Sequence, residues 1–208
     1  MLSETLVSVV FLTCLGFFFS INLYNILKTR KHNDDKMSLS AEVERPSGFF
    51  TALAAFGTLA YFIEVFSHLL LAFINLPFML MIFYQGIPKN LAETFQIFGL
   101  IITVIGYSLF IWSVIARGQY ATSWEMSENH KLVTWGPYQY IRHPSYVAYF
   151  LMFAGLFAVW PNMLTFIPLI AIPGYVKVTN QEERLLEQYF SDEYREYKKK
   201  TGRFIPKL

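Results

Sequence analysis

The chain has 208 residues, of which 54% are hydrophobic, 18% aromatic and only 15% charged. Soluble domains carry about 25% charged residues, and the hydrophobic residues here fall in long blocks, so the composition excludes an ordinary soluble domain and indicates a polytopic membrane protein. A formal net charge of +2 does not indicate a basic surface for nucleic acid, so no nucleic-acid partner is expected. A single cysteine excludes an intrachain disulfide and a thiolate metal site, so no metal is expected either.

Three apolar blocks come first, at about Thr5–Leu27, Phe49–Ile74 and Thr94–Ala116. Each has the roughly 20 residues that a helix needs to cross about 30 Å of hydrocarbon, so they predict three membrane-spanning helices. The start Met1–Glu4 lacks the basic region of a secretory signal peptide, so none is expected. The apolar stretch Pro77–Gln85 is too short to cross and predicts an interfacial or re-entrant connection.

The fourth apolar block, Tyr146–Val176, is too long for one ordinary span. Trp160-Pro161-Asn162 lies near its middle, where proline ends a continuing helix and the Pro-Asn pair favours a turn. The block therefore predicts a tight hairpin of two helices of about 15 residues each. The predicted fold class is all-α: a polytopic membrane protein with about five transmembrane helices, the last two a helical hairpin, followed by a cytosolic C-terminal helical segment.

The distribution of basic residues predicts the orientation. If the N-terminus lies outside, the inner segments are 28–46, 117–145 and 177–208, and they contain sixteen of the 17 lysine and arginine residues. Lys89 is the remaining one. Because basic residues are enriched in cytoplasmic loops, we expect an external N-terminus and a cytosolic C-terminal tail.

The tail is predicted to be helical rather than disordered. Residues 182–190 place their apolar side chains on one helix face. Ser191 is a candidate N-cap for a second helix, which Gly202 would end.

The pentad Arg142-His143-Pro144-Ser145-Tyr146 lies where a polar, aromatic loop meets the fourth apolar block. Pro144 suits the first turn of a helix, and a helix N-terminus attracts anions. Arg142 and His143 add hydrogen-bond donors and positive charge. The pentad therefore indicates either a site for a carboxylate or phosphate, or an ordinary arginine and tyrosine anchor at the membrane boundary.

Two further segments share the predicted inner side. The loop 129–138 contains a short apolar island before a Gly-Pro turn, and it either presents backbone groups to an adenine or ribose or is a plain interfacial loop. Glu182 and Glu183 open the tail helix, where its dipole favours carboxylates. They either hold a ribose hydroxyl, a sulfonium or a substrate amine, or form a solvated helix start paired with neighbouring cations.

Glu64 and His68 are four residues apart in the second span and so lie on one helix face. Ionisable groups inside a membrane usually pair, which leaves a buried structural pair or a substrate-binding or proton-handling site open. Small residues in the third and fourth blocks allow either close helix packing or a channel for a lipid tail. These small residues are Gly99, Gly106, Ala148 and Gly155.

Taken together, the ordered motifs resemble those of the isoprenylcysteine carboxyl methyltransferase and phospholipid methyltransferase superfamily of integral membrane methyltransferases. The resemblance covers about residues 128–208, while the first three spans match only in kind. The matching residues are His130-x-Leu132-Val133, Gly136-x-Tyr138, the pentad, Glu182-Glu183-x-x-Leu186, Phe190-x-x-Glu193-Tyr194-x-x-Tyr197 and Thr201-Gly202-Arg203-Phe204-Ile205-Pro206.

The resemblance implies S-adenosylmethionine as methyl donor, bound on the cytosolic side, with S-adenosylhomocysteine as product. It also implies a lipid or membrane-partitioning acceptor, such as an isoprenylcysteine-type carboxylate, that reaches the site from the bilayer. The cofactor-binding residues carried over are His130, Lys131, Leu132, Val133, Gly136, Tyr138, His143, Pro144, Tyr146 and Glu182.

The catalytic residues carried over are Arg142 and one of Glu182 and Glu183. Arg142 would hold a substrate carboxylate, whereas a glutamate would deprotonate an amine or thiol. Arg184 falls near a second basic position of the carboxyl methyltransferases. Residues 1–208 are predicted to form one domain, with three spans in 1–116 and the cofactor-binding loop, hairpin and C-terminal helices in 117–208.

The sequence leaves the acceptor open among an isoprenylcysteine carboxylate, a lipid amine headgroup and a small thiol. Two other functions stay open as well. Sterol reductases that use NADPH end in a related Arg-His-Pro-containing half, although they are much longer than 208 residues. A non-catalytic membrane scaffold or transporter subunit would keep the fold without the chemistry.

Overall fold

The computed structural model describes residues 2–34, 41–42, 48–74, 88–120, 125–126 and 131–207. In these ranges the regular structure is almost entirely helical. One short antiparallel pairing joins β1 (Ala41–Glu42) to β2 (Glu125–Met126). The connection predicted at 77–85 and the candidate site residue His130 lie outside the described residues.

Three helices are long and apolar enough to cross a membrane within the described ranges: α1 (Glu4–Asp34), α2 (Phe49–Phe73) and α3 (Lys89–Arg117). They expose large apolar side chains such as Phe17 and Phe73. A soluble monomer rarely leaves contiguous apolar surface uncovered, so these faces fit contact with lipid. The predicted all-helical membrane fold is confirmed.

Helix α4 (Pro144–Val159) begins at the proline of the pentad and ends before Trp160, as predicted. The chain then reverses through a turn that polar side chains hold together. The Asn162 side-chain oxygen accepts the backbone N–H groups of Leu164 and Thr165, and the Thr165 hydroxyl donates to the Trp160 carbonyl. This network satisfies backbone groups that would otherwise be unpaired near the membrane.

The second arm of the predicted hairpin differs from the prediction. After a short 3-10 helix at Ile167–Ile170, the chain enters α5 (Ala171–Lys200), which does not end near Val176 but continues to Lys200 with one break in its helical geometry at Ser191. The prediction of two helices of about 15 residues was therefore wrong for the second one. Pro173 and Gly174 lie in the first turn of α5, where proline costs no hydrogen bond, and neither residue type recurs within the helix.

Helix α5 bends at Ser191, the residue predicted to start a second tail helix. Its backbone there has φ 47° and ψ −115°, which is outside helical geometry. The bend turns the last part of α5 back onto the loop before α4. Buried Tyr194 and Tyr197 pack there against Leu132, and the Tyr197 hydroxyl donates to the Tyr138 carbonyl at 2.6 Å.

Small residues let α3 and α4 pack closely. A Cβ atom placed on Gly99 would lie 2.9 Å from the Gly155 carbonyl oxygen, and one on Gly106 would lie 3.0 Å from the Ala148 carbonyl oxygen. Side chains at these positions would push the two backbones apart. Of the two alternatives for these residues, the structure shows close helix packing.

Glu64 and His68 are both buried in α2. His68 Nδ1 lies 2.8 Å from the Glu64 carbonyl oxygen, and the imidazole stacks on Trp160 with ring centroids 4.0 Å apart. The imidazole thereby ties α2 to the end of α4, and its hydrogen bond with Glu64 is to the backbone carbonyl and not to the carboxylate.

Candidate active site

A cavity of about 680 Å³ lies between the loop before α4, the start of α4 and α5. It is lined by Arg117, Tyr120, Lys131, Leu132, Val133, Tyr138, Arg142, His143, Ser145, Tyr146, Glu182, Leu186, Phe190, Tyr194 and Tyr197.

The backbone of the pentad is held by residues 201–206, which we call the C-terminal strap. The Arg142 N–H donates to the Gly202 carbonyl at 2.9 Å, and the His143 N–H donates to the Arg203 carbonyl at 3.2 Å. In return, the Gly202 N–H donates to the Tyr140 carbonyl. The strap therefore orients the two side chains that precede α4.

Glu183 is the centre of an ionic network. Its carboxylate accepts hydrogen bonds from Arg142 Nε at 2.9 Å and from Arg203 Nη2 at 2.9 Å. His143 Nε2 lies 3.2 Å away and Lys198 Nζ 3.9 Å away. Burial opposes ionisation, but the hydrogen bonds from His143, Arg203 and Arg142 outweigh it and hold the pKa of Glu183 well below its ordinary value. Such a carboxylate anchors its neighbours and is a poor proton acceptor.

Glu182 has different surroundings, although it adjoins Glu183 in sequence. Its side chain lines the cavity, where it accepts the Tyr146 hydroxyl at 2.5 Å and lies 3.4 Å from His143 Nδ1. Glu182 is therefore the glutamate that can contact a ligand, whereas Glu183 lies behind the cavity wall.

His143 lies between the two carboxylates. Burial disfavours the imidazolium, but hydrogen bonds and charges of Glu182 and Glu183 outweigh it, so the pKa of His143 is raised above 6.5. With both ring nitrogens protonated, each donates toward one glutamate. Its ring also stacks on Tyr146, with centroids 5.6 Å apart.

The folded protein is expected to lose stability at alkaline pH. Because the pKa of His143 is raised above 6.5, its contribution is full below that pH and is lost as pH rises through the folded value. Glu183 has a lowered pKa, so its contribution is full above pH 4.5 and is lost only as pH falls through the folded value. Thermal unfolding across about pH 5 to 9 measures this. The variant His143→Gln should flatten the alkaline decline, and an unchanged slope would contradict the assignment.

The Tyr194 hydroxyl is a buried polar group of the cavity that the described residues do not satisfy by themselves. The side chain is fully buried and lines the cavity, yet its hydroxyl has no hydrogen-bond partner among the described residues. A buried hydroxyl without a partner costs about 1–3 kcal/mol. A ligand with a hydrogen-bonding group would remove that cost.

The structure brings most of the predicted site residues to this cavity. Of the predicted catalytic residues, Arg142 and Glu182 line it and Glu183 lies behind it. Gly136 and Pro144 are not among the lining residues: Gly136, with φ 62°, lets the loop turn beside Ala116, and Pro144 begins α4. The predicted cofactor-binding residues that line the cavity are Lys131, Leu132, Val133, Tyr138, His143, Tyr146 and Glu182.

Several lining residues were not predicted. Arg117, the last residue of α3, and Tyr120, shortly after it, belong to no recognisable motif and could not be identified from the sequence. Tyr194 and Tyr197 belong to one of the motifs that resemble the methyltransferases, but no role was predicted for them. Arg203 also lies in such a motif, and the structure places it on Glu183. Arg184 is not among the lining residues.

Comparison with known proteins supports the sequence resemblance. The phospholipid methyltransferase family matches residues 94–193. Protein-S-isoprenylcysteine O-methyltransferase B of Arabidopsis thaliana is 28% identical over 60% of this chain and 65% of its own length. The human protein-S-isoprenylcysteine O-methyltransferase is 31% identical over 52% of this chain and 40% of its own length. The chain thus spans less than two thirds of these relatives.

A solved structure, that of the eukaryotic intramembrane Ras methyltransferase ICMT (isoprenylcysteine carboxyl methyltransferase), shares the fold. It matches with a TM-score of 0.50 and 23% identity, over 95% of this chain and 67% of the other. Fold and cavity together define a helical integral membrane protein with a cavity beside its C-terminal helix. The chain is therefore similar to the isoprenylcysteine carboxyl methyltransferases and the phospholipid methyltransferases, and it shares the fold of the former.

Proposed function

We propose that this protein is an S-adenosylmethionine-dependent methyltransferase whose acceptor is a membrane-partitioning carboxylate of the isoprenylcysteine type. The observation that carries the proposal is the cavity beside the pentad, where Arg142, His143 and Glu182 meet. The names of the two curated relatives described above, both protein-S-isoprenylcysteine O-methyltransferases, support it. The distribution of basic residues supports a cytosolic site and an external N-terminus.

The residues present fit the methyl donor. Leu132, Val133 and Phe190 give the cavity an apolar wall suited to an adenine ring. Glu182 offers a carboxylate to hydroxyl or ammonium groups, and the unsatisfied Tyr194 hydroxyl offers a further hydrogen bond. When bound, S-adenosylmethionine supplies a methyl group on a positively charged sulfur, and the protein has to position the acceptor and exclude water.

The charges of the cavity favour a carboxylate acceptor. Arg117, Lys131 and Arg142 line it together with the imidazole of His143, whereas Glu182 is its one carboxylate among the described lining residues. Arg142 uses Nε for Glu183 and Nη1 for the Thr201 carbonyl, which fixes its guanidinium at the wall of the cavity. Its Nη2 has no hydrogen bond to the described residues and is available to an acceptor oxygen.

The proton balance of methyl transfer also favours a carboxylate acceptor. A carboxylate acceptor already carries its nucleophilic oxygen, so the new C–O bond forms as the C–S bond breaks and no proton has to leave. An amine or thiol acceptor would have to lose a proton to a base such as Glu182. Glu182 already accepts the Tyr146 hydroxyl and faces His143, so it is less suited to that task.

Two measurements on the purified full chain test the proposal. Calorimetry with S-adenosylhomocysteine should show binding, and its absence in a folded sample would reject the donor. Labelled methyl transfer should then occur to S-farnesylcysteine with a free carboxylate and not to phosphatidylethanolamine or a small thiol. Transfer to the amine or the thiol instead would reject the carboxylate acceptor. Displacement of S-adenosylhomocysteine by NADPH would favour the reductase alternative.

The variant Tyr194→Phe is expected to separate stability from binding. Without ligand, it should raise the free energy of unfolding by about 1 kcal/mol, because it removes a buried hydroxyl without a partner. It should also weaken S-adenosylhomocysteine binding by about three- to tenfold, the worth of one neutral hydrogen bond. Thermal unfolding and calorimetry measure the two effects.

Tyr197→Phe is the matched control for this prediction. Its hydroxyl donates to the Tyr138 carbonyl, so its removal should lower stability rather than raise it. If both variants destabilise the ligand-free protein equally, the Tyr194 hydroxyl is not the unsatisfied group described above.

A further inference from the structure

A second cavity, of about 620 Å³, lies between the start of α2 and the side of α5. Lys177 Nζ lies there 5.7 Å from the centre of the Phe50 ring, a distance that allows a cation–π contact. The cavity is lined by Phe49, Phe50, Thr51, Lys177, Val178, Asn180, Gln181 and Arg184.

This cavity is separate from the candidate active site. Lys177, Gln181 and Arg184 follow one another at helical spacings of four and three residues, so they share one face of α5. Glu182 and Leu186, which line the active-site cavity, project from the opposite side of the same helix. A molecule in the second cavity therefore does not contact Arg142 or Glu182.

The charge of the second cavity selects an anion. Lys177 and Arg184 contribute two cations, and the described lining residues include no carboxylate. Asn180 and Gln181 add amide groups that can donate hydrogen bonds. Arg184 has no ion pair among the described residues, so none of these residues neutralises its guanidinium. A phosphate matches such a set of donors.

The position of the cavity selects a lipid as the source of that phosphate. It lies where α2, one of the apolar helices long enough to cross a membrane, begins. Phe49 and Phe50 line it and remain 73% and 42% exposed, which provides apolar surface next to the cations. Basic pockets beside membrane helices recognise anionic headgroups in this way.

We propose that the second cavity is a binding site for the phosphate of an anionic phospholipid, whose acyl chains lie along the start of α2. Lys177 and Arg184 contact the phosphate, and Asn180 and Gln181 complete its hydrogen bonds. The Asn180 side-chain oxygen also accepts a hydrogen bond from Arg203 Nη1 at 2.7 Å, and Arg203 Nη2 donates to the Glu183 carboxylate. One polar chain thus connects the lipid site to the network behind the active site.

The test uses the purified full chain in a neutral detergent and follows its thermal unfolding during titration. The probes are short-chain phosphatidylglycerol, short-chain phosphatidylcholine and inorganic phosphate. Phosphatidylglycerol should stabilise the protein, and the double variant Lys177→Gln, Arg184→Gln should weaken its apparent affinity by about tenfold or more. Both side chains are exposed, so the variant should fold normally, and Arg184→Gln alone gives a second measurement.

The matched control is Lys199→Gln, Lys200→Gln, which removes the same charge from exposed positions at the end of α5. It should bind phosphatidylglycerol as the unmodified protein does. Equal weakening in both double variants would show diffuse attraction and overturn the proposal, as would unchanged binding by the first one. Inorganic phosphate binding as tightly as phosphatidylglycerol would show a site for free phosphate and would also overturn it.

Discussion

Replacing Glu183 by glutamine is expected to lower the free energy of unfolding by about 3–5 kcal/mol, the cost of removing one partner from a buried ion pair. Glu183 is 3% exposed and forms ion pairs with Arg142 and His143, whose side chains are 9% and 7% exposed. Glutamine has the same shape but leaves these cations without a counter-charge. Arg203 and Lys198 are about one third exposed, so water replaces part of their interaction. Thermal or denaturant unfolding measures the loss.

Glu182→Gln is the matched comparison, because it makes the same change one residue earlier. Glu182 meets a hydroxyl and one imidazole nitrogen, and glutamine can still accept the Tyr146 hydroxyl. We expect a loss of only about 1 kcal/mol in stability but a strong loss of S-adenosylhomocysteine binding or methyl transfer. Equal destabilisation by the two variants would contradict the separate roles assigned to these adjacent residues.

Replacing Gly155 by valine is expected to destabilise the protein by about 3 kcal/mol, the upper end of the range for overpacking. A Cβ atom there would lie 2.8 Å from the Gly99 carbonyl oxygen and 2.9 Å from the Thr103 nitrogen. These are backbone atoms of α3, which cannot turn aside as a flexible side chain can. The measurement is thermal unfolding together with size-exclusion chromatography in detergent.

Gly16→Val is the control for this substitution. A Cβ atom on Gly16 meets no atom within 4 Å among the described residues, and Gly16 also lies inside an apolar helix. It should leave the unfolding temperature nearly unchanged. A similar loss in both variants would mean that valine disturbs these helices by itself and that the α3–α4 contact is not the cause.

The helices and the start of the site could be predicted because their signals are local. Long apolar blocks predict α1, α2 and α3, and a proline suited to the first turn of a helix predicts where α4 begins. The continuation of α5 beyond Val176 could not be predicted from apolar length, because the helix passes from an apolar to a polar segment without interruption. Its amphipathic part was recognised only as a separate tail helix.

The division of labour between Glu182 and Glu183 could not be predicted. Neighbouring residues on a helix point about 100° apart, and the sequence does not state which side faces the cavity. The four cationic partners of Glu183 come from positions far apart in the chain, including Arg142 and Arg203. The motifs showed that these residues belong together but not which atoms meet.

The strap has a consequence for the order in which the protein is completed during synthesis. Arg142 and the Thr201 carbonyl that it contacts are 59 positions apart, and proteins are synthesised from the N-terminus. The membrane-spanning helices and α4 can therefore assemble while the pentad still lacks its backbone partners. A chain cut between Lys200 and Thr201 would keep every described helix and lose the interactions that orient Arg142 and His143. We therefore expect ligand binding to distinguish the full chain from the cut chain, whereas insertion into the membrane would be the same for both.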